Sequence, residues 1–302
     1  MNQPLVSIVV ISYNQAKYIK ENLDHLKVQT YLNWELIVAD DASPDHSVVE
    51  FKTWLKENNV NAKELFHTKN TGLATVLNEV LDLCAGKYVK FIAADDYLHP
   101  RSLEESVKSL EEKSDEYGMV FTDFYPVNDS GESVDFSINY ENKDYFNNDY
   151  SLKNDQLVKY NCIIAPTTLV KKEAILSTGK YDPSLLLEDH HRWLMINEKY
   201  KILFINKKLA YYRVLSTGIT GKRHNRMIEE DIYLRLKYDK NGINKKQIFD
   251  YISSRYRKNI KIPDFIVHEY LKYPHKIKRL SFFLKNKIPP YLYYMFTKVY
   301  KK

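Results

Sequence analysis

Glycine is scarce in this 302-residue chain and it comes late: there are eight, and the first is Gly72. No Gly-rich turn can follow the first predicted strand. That excludes the dinucleotide fingerprint and the phosphate-cradling P-loop at their usual position, and with them the Gly-rich loop of nucleotidyltransferases. Cysteine is scarcer still. Cys84 and Cys162 lie far apart, which suits neither a disulfide framework nor a zinc site, and a reducing, cytoplasmic setting is expected. No apolar run nears the roughly 18–20 residues of a membrane-spanning helix. The early apolar run, Leu5 to Ile11, has no basic leader and is too short for a signal sequence. A soluble or peripheral protein is expected, at most one resting on the inner face of the cell membrane. Acids are nearly absent from the end of the chain. From residue 261 onward ten Lys/Arg face only Asp264 and Glu269, although the whole chain carries 45 basic and 39 acidic side chains. The basic character is therefore a local surface.

What is present is a regular alternation. Val6-Ser7-Ile8-Val9-Val10-Ile11 reads as a strand buried on both faces. Ala16 to Val28 follows with Ile19, Leu23 and Leu26 at helical spacing. Trp34 to Ala39 is a second strand, Val48 to Asn58 a helix, Glu64 to His67 a short third strand, and Asn70-Thr71-Gly72 opens a helix to Leu83. Tyr88 to Ile92 is the fourth strand. Ser102-Leu103-Glu104-Glu105 has the form of a capping box opening a helix to about Tyr117. Met119 to Phe124 is a further strand, residues 128 to 157 a loop-rich insertion, Lys171 to Ser177 and Leu185 to Glu198 helices, and Tyr200 to Tyr212 contains a strand. There is no internal repeat. This order argues for a doubly wound α/β domain with a mostly parallel sheet, Rossmann-like, flanked by helices. Right-handed crossovers then bring the polar strand endings Ser12-Tyr13-Asn14, Asp40-Asp41 and Asp95-Asp96 to one crevice.

Carboxylates cannot hold a diphosphate directly, since like charges repel. They can hold Mg²⁺ or Mn²⁺, hard ions that take few protein oxygens and bridge to phosphate. Asp95 and Asp96 fit that reading. They also fit an ordinary turn with an Asp cap, and the presence of Asp41 on a neighbouring strand favours the metal.

These segments carry a resemblance. Val6 to Asn14, Glu35 to Ser43, Asn70-Thr71-Gly72, Ala85-Gly86-Lys87-Tyr88, and Asp95-Asp96 with Pro100 four residues on resemble, in order and spacing, the inverting GT-A glycosyltransferases of glycosyltransferase family 2. The match spans about residues 4 to 220. It implies that Asp41 contacts the base, that Asp95 is the metal-binding acid of a DxD-type motif with Asp96 lining the same site, and that Ser12, Tyr13, Asn14 and Asn70 also border the nucleotide. Glu188-Asp189 is similar to the family's Glu-Asp motif, in which the Asp is the catalytic base. A helix N-terminus should keep Asp189 low in pKa, so positioning must supply much of its effect. Ala93 and Leu77 depart from the family's usual Asp and basic residue, which weakens the expected ribose contact and one diphosphate contact.

Several readings stay open. Adjacent His190 and His191 point apart and are structural or acceptor-facing rather than a metal pair. His224 is a candidate late metal ligand or an ordinary surface histidine. Glu188, Arg213 and Arg223 are candidate acceptor or phosphate contacts, and a solvated basic turn is the alternative for the arginines. The tail mixes Lys/Arg with Phe282, Phe283, Tyr291 and Tyr293. It either meets an anionic membrane or packs as a helical subdomain, and no nucleic-acid motif accompanies its charge.

The resulting expectation is a catalytic domain over residues 1–222 (nucleotide half 1–100, acceptor half 101–222) and a basic helical region over 223–302. Its reaction would be inverting transfer from a nucleotide-diphosphate sugar, UDP by family habit, to a hydroxyl of a glycan acceptor. That acceptor would be lipid-linked, as in bacterial-type surface polysaccharide assembly. A non-catalytic nucleotide-sugar or glycan-binding module is the rival on the same fold. A phosphoacceptor receiver domain has the wrong spacing.

Overall fold

The computed structural model describes residues 3–215 and 225–293. The chain forms two compact units, Met1–Asn154 with Asn161–Lys222, and Asp155–Tyr160 with Arg223–Lys302.

The first unit is built on one sheet. Its strands are β1 (Val6–Ser12), β2 (Trp34–Asp40), β3 (Ala62–Phe66), β4 (Tyr88–Ala93), β5 (Tyr97–Leu98), β6 (Tyr117–Val127), β7 (Leu169–Lys171) and β8 (Lys201–Arg213), in the order β3-β2-β1-β4-β7-β6-β8-β5. Every residue of β1 is buried, as its unbroken β-branched run requires of a strand covered on both faces. β3, β2, β1 and β4 are parallel. The register sets Ser12 beside Asp40 and Ile11 beside Ala93, so the three chemically marked strand ends finish level.

Helices α1 (Ala16–Lys27), α2 (Ser47–Glu57), α3 (Leu73–Leu83) and α4 (Ser102–Glu111) connect the strands of this half. Ile19, Leu23 and Leu26 of α1 pack with Phe51 and Trp54 of α2 and with Val6, Ile8 and Val10 of β1 in one apolar cluster. This is the amphipathic spacing converted into buried area.

The mixed edge differs from the sequence reading. β7 runs antiparallel to β4 and β6, and β5 runs antiparallel to β8. Elements of three and two residues are too short to have a period. The expected capping box does not form. Ser102 is the first helical residue instead of the cap, its N–H goes to the His99 carbonyl, and Arg101 draws off both Glu104 and Glu105 at 3.3 and 2.6 Å. α4 stops at Glu111 because Tyr117 is needed in β6 opposite Lys201.

In the second unit, α5 (Asn154–Lys159) contributes most of its length, beside α8 (Asn225–Tyr238), α9 (Lys245–Arg257), α10 (Asp264–Lys272) and α11 (Lys278–Lys285). Helices α6 (Lys172–Thr178) and α7 (Glu188–Asn197) belong to the first unit. The second unit has its own core of Ile232, Ile248, Ile252, Ile266, Tyr270, Tyr273, Leu280, Phe283 and Tyr293. The Asp239 carboxylate accepts the Gly242, Ile243 and Asn244 N–H groups and the Tyr273 hydroxyl, which fixes the start of α9. Of the tail aromatics expected at a membrane, Phe283 and Tyr293 are thus interior, while Phe282 and Tyr291 are 59% and 64% exposed. Among the described residues no helix is long and apolar enough to cross a membrane.

Gly86, just before β4, has no room for a side chain. A Cβ there would lie 2.6 Å from the Ser7 nitrogen and 2.7 Å from the Leu5 carbonyl oxygen, both backbone atoms of or beside β1. Gly86→Ala is therefore expected to destabilise the protein by about 1–3 kcal/mol, the usual cost of overpacking. Val49→Ala at an exposed site serves as the near-neutral control, and urea unfolding measures both.

Candidate functional site

The crevice edge is cross-braced by its own loops. Asp40 accepts the Ser43 N–H and hydroxyl at 2.8 and 2.6 Å, and the Ser43 oxygen in turn accepts the Asn14 N–H at 2.9 Å. Asp45 accepts the Ala16 N–H at the start of α1 and also binds Ser47. The Ser12 hydroxyl donates to Ser47 at 3.1 Å. Ser12, expected beside the nucleotide, is therefore a buried brace whose hydroxyl is spent on Ser47. Tyr13 and Asn14 are exposed at the rim.

Asp41 is 4% exposed. Its Oδ1 accepts the Thr71 N–H at 2.8 Å, the Thr71 hydroxyl at 3.0 Å and His67 Nδ1 at 2.8 Å, and its Oδ2 accepts the Gly72 N–H at 2.7 Å. Burial raises its pKa, but these donors outweigh burial and hold it below the usual carboxylate range. Asn70 donates to the Asp41 carbonyl at 3.2 Å, so it locks the loop while its own surface stays exposed. The other face of His67 meets Glu79 at 3.0 Å, and the two carboxylates raise its pKa against burial, the largest opposing effect.

Asp95 is half-buried and Asp96 is buried. Burial pushes both pKa values up, and for Asp96 the charge of Asp95 adds to it. Arg213 answers this pair from below. Its N–H donates to Asp96 Oδ1 at 2.8 Å, and its guanidinium donates to the carbonyls of Asp95, Asn128 and Asp129 at 2.9, 2.7 and 2.6 Å and to Glu21. It also lies over the Tyr18 ring at 4.7 Å. The expectation that Arg213 contacts phosphate or acceptor is corrected here: its side chain is 1% exposed and its donors face the protein. Lys90 is fully buried on β4, with Nζ on the Pro166 carbonyl at 2.5 Å, and burial pulls its pKa down to about 7 against the charge of Asp96.

Asp189 is half-buried in the first turn of α7, next to Glu188. Its Oδ2 accepts the Asn161 amide at 3.3 Å, and Oδ1 accepts the His190 N–H. Its pKa is raised, contrary to the expectation from its helix N-terminus. Burial outweighs the charge and N–H of His190 and the amide of Asn161. Three residues on, Arg192 is wholly buried. Its guanidinium donates to Thr178 and to the Gly179 carbonyl at 2.9 and 2.8 Å and stacks 4.0 Å over Tyr181. Asn78 of α3 clamps the Tyr181 backbone on both sides at 2.9 and 2.7 Å, and the Tyr181 ring meets Phe91 of β4 edge-on. The turn carrying Asp189 is thereby tied to β4, the strand that leads into the Asp95-Asp96 turn. His190 and His191 are buried in α7.

His67, Asn78, Asn161 and Arg192 escaped the sequence reading, because each acts on a partner that only the fold brings beside it. Only Asn78, within the α3 apolar spacing as a polar exception, carried a signal. Arg223 and His224 lie outside the described residues. Among those described, no group of three or more His, Cys, Asp or Glu is placed to hold a metal.

Comparison with known proteins converges on one family. TuaG of Bacillus subtilis, described as a putative teichuronic acid biosynthesis glycosyltransferase, is 26% identical over 224 residues, covering 73% of this chain and 83% of the relative. WfgD of Escherichia coli, a UDP-Glc:alpha-D-GlcNAc-diphosphoundecaprenol beta-1,3-glucosyltransferase, is 26% identical over 275 residues, covering 83% and 98%. The crystal structure of S. aureus TarS 1-349 with UDP-GlcNAc superposes with a TM-score of 0.64 at 17% identity, covering 93% and 87%. The mannosyltransferase PcManGT of Pyrobaculum calidifontis, solved with GDP-Man and Mn²⁺, gives 0.57 at 18%, covering 91% and 71%. These superpositions establish the GT-A fold. The family model described as Glycosyl transferase family 2 matches residues 7–175, more than half of the chain, and the chain belongs to that family.

Proposed function

We propose that this family 2 glycosyltransferase moves a sugar from a UDP-sugar to a hydroxyl of a lipid-linked glycan, with inversion at the anomeric carbon, in assembly of a cell-surface polysaccharide. The observation that carries this reading is the Asp189 carboxylate, tied through Arg192, Tyr181 and Phe91 to the strand that leads into the Asp95-Asp96 turn. The relatives named above supply the substrate class by analogy: a UDP-sugar donor and a diphosphoundecaprenol acceptor in WfgD, teichuronic acid synthesis in TuaG.

In this reading Asp41 takes the base, and Tyr13, Asn14 and Asn70 border the nucleotide. The donor set at Asp95 and Asp96 fits Mg²⁺ or Mn²⁺: two hard carboxylates whose burial leaves them short of positive charge. Asp95, the more exposed of the two, would hold the ion with Asp96 in support. When bound, the ion would neutralise the diphosphate as it leaves. Asp189 removes the proton of the acceptor hydroxyl while that oxygen attacks the anomeric carbon and the nucleoside diphosphate departs from the opposite face. The Asn161 amide holds the Asp189 carboxylate in aim, and its raised pKa makes it a better base than an exposed aspartate.

The second unit supplies a docking face in this reading. Lys278, Arg279, Phe282 and Lys285 are exposed along α11, and no acid follows Glu269. Such a face suits an anionic bilayer holding a lipid-linked acceptor.

Asp189→Asn is expected to lower kcat by about 10²–10⁴-fold, the range of general-base catalysis, while UDP binding by calorimetry stays unchanged. Undiminished turnover removes Asp189 as the base. The base must be deprotonated, so wild-type kcat/KM should fall with decreasing pH, with an apparent pKa above the roughly 3.9 of an ordinary aspartate. Asp95→Ala should abolish the metal dependence of UDP affinity, and equal wild-type affinity in Mn²⁺ and in EDTA would end the metal reading. Each Lys near an anionic surface contributes about 1 kcal/mol, so Lys278→Glu with Lys285→Glu should cost at least tenfold in sedimentation with anionic vesicles. Equal sedimentation of variant and wild type would leave α11 without a membrane role.

A further inference from the structure

The Asp41 carboxylate is held by more groups than a base contact needs. Both backbone donors at the start of α3 point at it, Thr71 N–H at Oδ1 and Gly72 N–H at Oδ2, 2.8 and 2.7 Å away. Backbone N–H groups only donate, so both oxygens act as acceptors here. Oδ1 also takes the Thr71 hydroxyl at 3.0 Å and His67 Nδ1 at 2.8 Å. That leaves Oδ2, with one donor, as the atom with acceptor capacity to spare.

His67 is the member of this set that is anchored by a second carboxylate. Its Nε2 lies 3.0 Å from Glu79 Oε2, and Glu79 sits on the outer part of α3. The ring therefore spans two carboxylates, one with 5% and one with 48% side-chain exposure. Nδ1–H must be the donor toward Asp41, because a carboxylate offers no hydrogen. With the ring fixed at both ends, Asp41 cannot rotate Oδ2 away without losing three contacts at Oδ1.

An acceptor-only atom at this place selects among bases by chemistry. Uracil and guanine carry a hydrogen on the ring nitrogen of the pairing edge. Cytosine and adenine carry a lone pair there, which a carboxylate repels. A site built around a buried hydrogen-bonding group rejects the analogue that cannot complete the bond far more strongly than an apolar pocket rejects a size change.

We propose that His67, anchored by Glu79, is a positioning residue that sets nucleobase selectivity by fixing Asp41 as an acceptor for a ring N–H, in uracil or guanine but not in cytosine or adenine. The proposal rests on the reading of Asp41 as the base contact. Asp41 touches the base, and His67 acts only through it.

The test uses the full chain with saturating Mg²⁺ and measures affinities for UDP, GDP, CDP and ADP by calorimetry. Wild type should prefer UDP over CDP by at least tenfold, and the GDP arm decides between the two N–H bases. His67→Leu should reduce the UDP:CDP ratio at least fivefold. His67→Asn, which can place an amide donor near the Nδ1 position, should restore most of it. A purely structural role for His67 would lower stability and all affinities together and leave the ratio alone. An unchanged ratio in His67→Leu, alongside a collapsed ratio in Asp41→Asn, overturns the proposal. If Asp41→Asn itself keeps the wild-type ratio, or wild type has no preference, the base-contact reading fails and the proposal with it. Should His67→Leu fail to fold, Glu79→Ala at its half-exposed site carries the test: at least a threefold smaller ratio is expected, and no change overturns the proposal.

Discussion

Two adjacent carboxylates in the turn just past a central strand are the constraint around which the first unit is organised. Asp95 and Asp96 are partly or wholly removed from water, which pushes both pKa values up, and the charge of Asp95 adds to the cost of ionising Asp96. The protein answers with Arg213, whose N–H, guanidinium and charge all serve the turn containing the pair. An arginine fork suits this work better than a lysine. It reaches three carbonyls and the Glu21 carboxylate from one planar group. Through those acceptors the turn after β4 is joined to the loop after β6 and to α1. The same arginine cannot then also reach outward to a phosphate, because its donors are already committed to the protein.

Lys90 sharpens that point. It is a second buried cation near Asp96, yet burial favours its neutral form, and its one described hydrogen bond is to a carbonyl. A buried lysine and a buried aspartate each lose more from desolvation than weak mutual attraction returns. Neither compensates the other fully. A cation arriving at Asp95 would stabilise the ionised pair without disturbing the packing of Lys90 in the sheet.

The strand ends were legible in the sequence because the segments carrying them are long, buried and strictly patterned. Val6–Ser12 and Trp34–Asp40 end in polar residues, Tyr88–Ala93 runs directly into the turn that carries Asp95 and Asp96, and parallel pairing brings these three ends level. The short antiparallel strands were not legible, since two or three residues carry no period. Arg213 was misread for a related reason. At the end of β8, after two tyrosines, it looks like a surface residue, and only the approach of the turn after β4, more than a hundred residues earlier, turns it inward. Asp189 was found by its motif, but its pKa was misjudged. The helix N-terminus was visible in sequence, whereas the burial that outweighs it is a property of the folded chain. The tail showed its charge and its aromatic content, but not which rings would be interior.

The scarcity of glycine has a structural counterpart at the same edge. Asn14 and Ala42 both adopt left-handed backbone, with φ of 56° and 59°, in the loops where glycine would enter such a conformation without strain. Asparagine tolerates the region, but alanine holds it at a cost of roughly 1–2 kcal/mol. Ala42 is kept there by its neighbours: Asp40 grips Ser43 with both oxygens, and Asp41 is gripped by Thr71, Gly72 and His67. The bend thus serves to aim two aspartates, not to open a backbone cradle for phosphate. The loops at 12–15, 40–46 and 93–96 contain five aspartates and no lysine or arginine, and Arg213 beneath them is committed inward. A nucleoside diphosphate entering among these described residues meets negative charge and carboxylate oxygens. That charge disfavours the phosphates by themselves, so the proposed metal at Asp95 would answer the loops' charge as well as the motif.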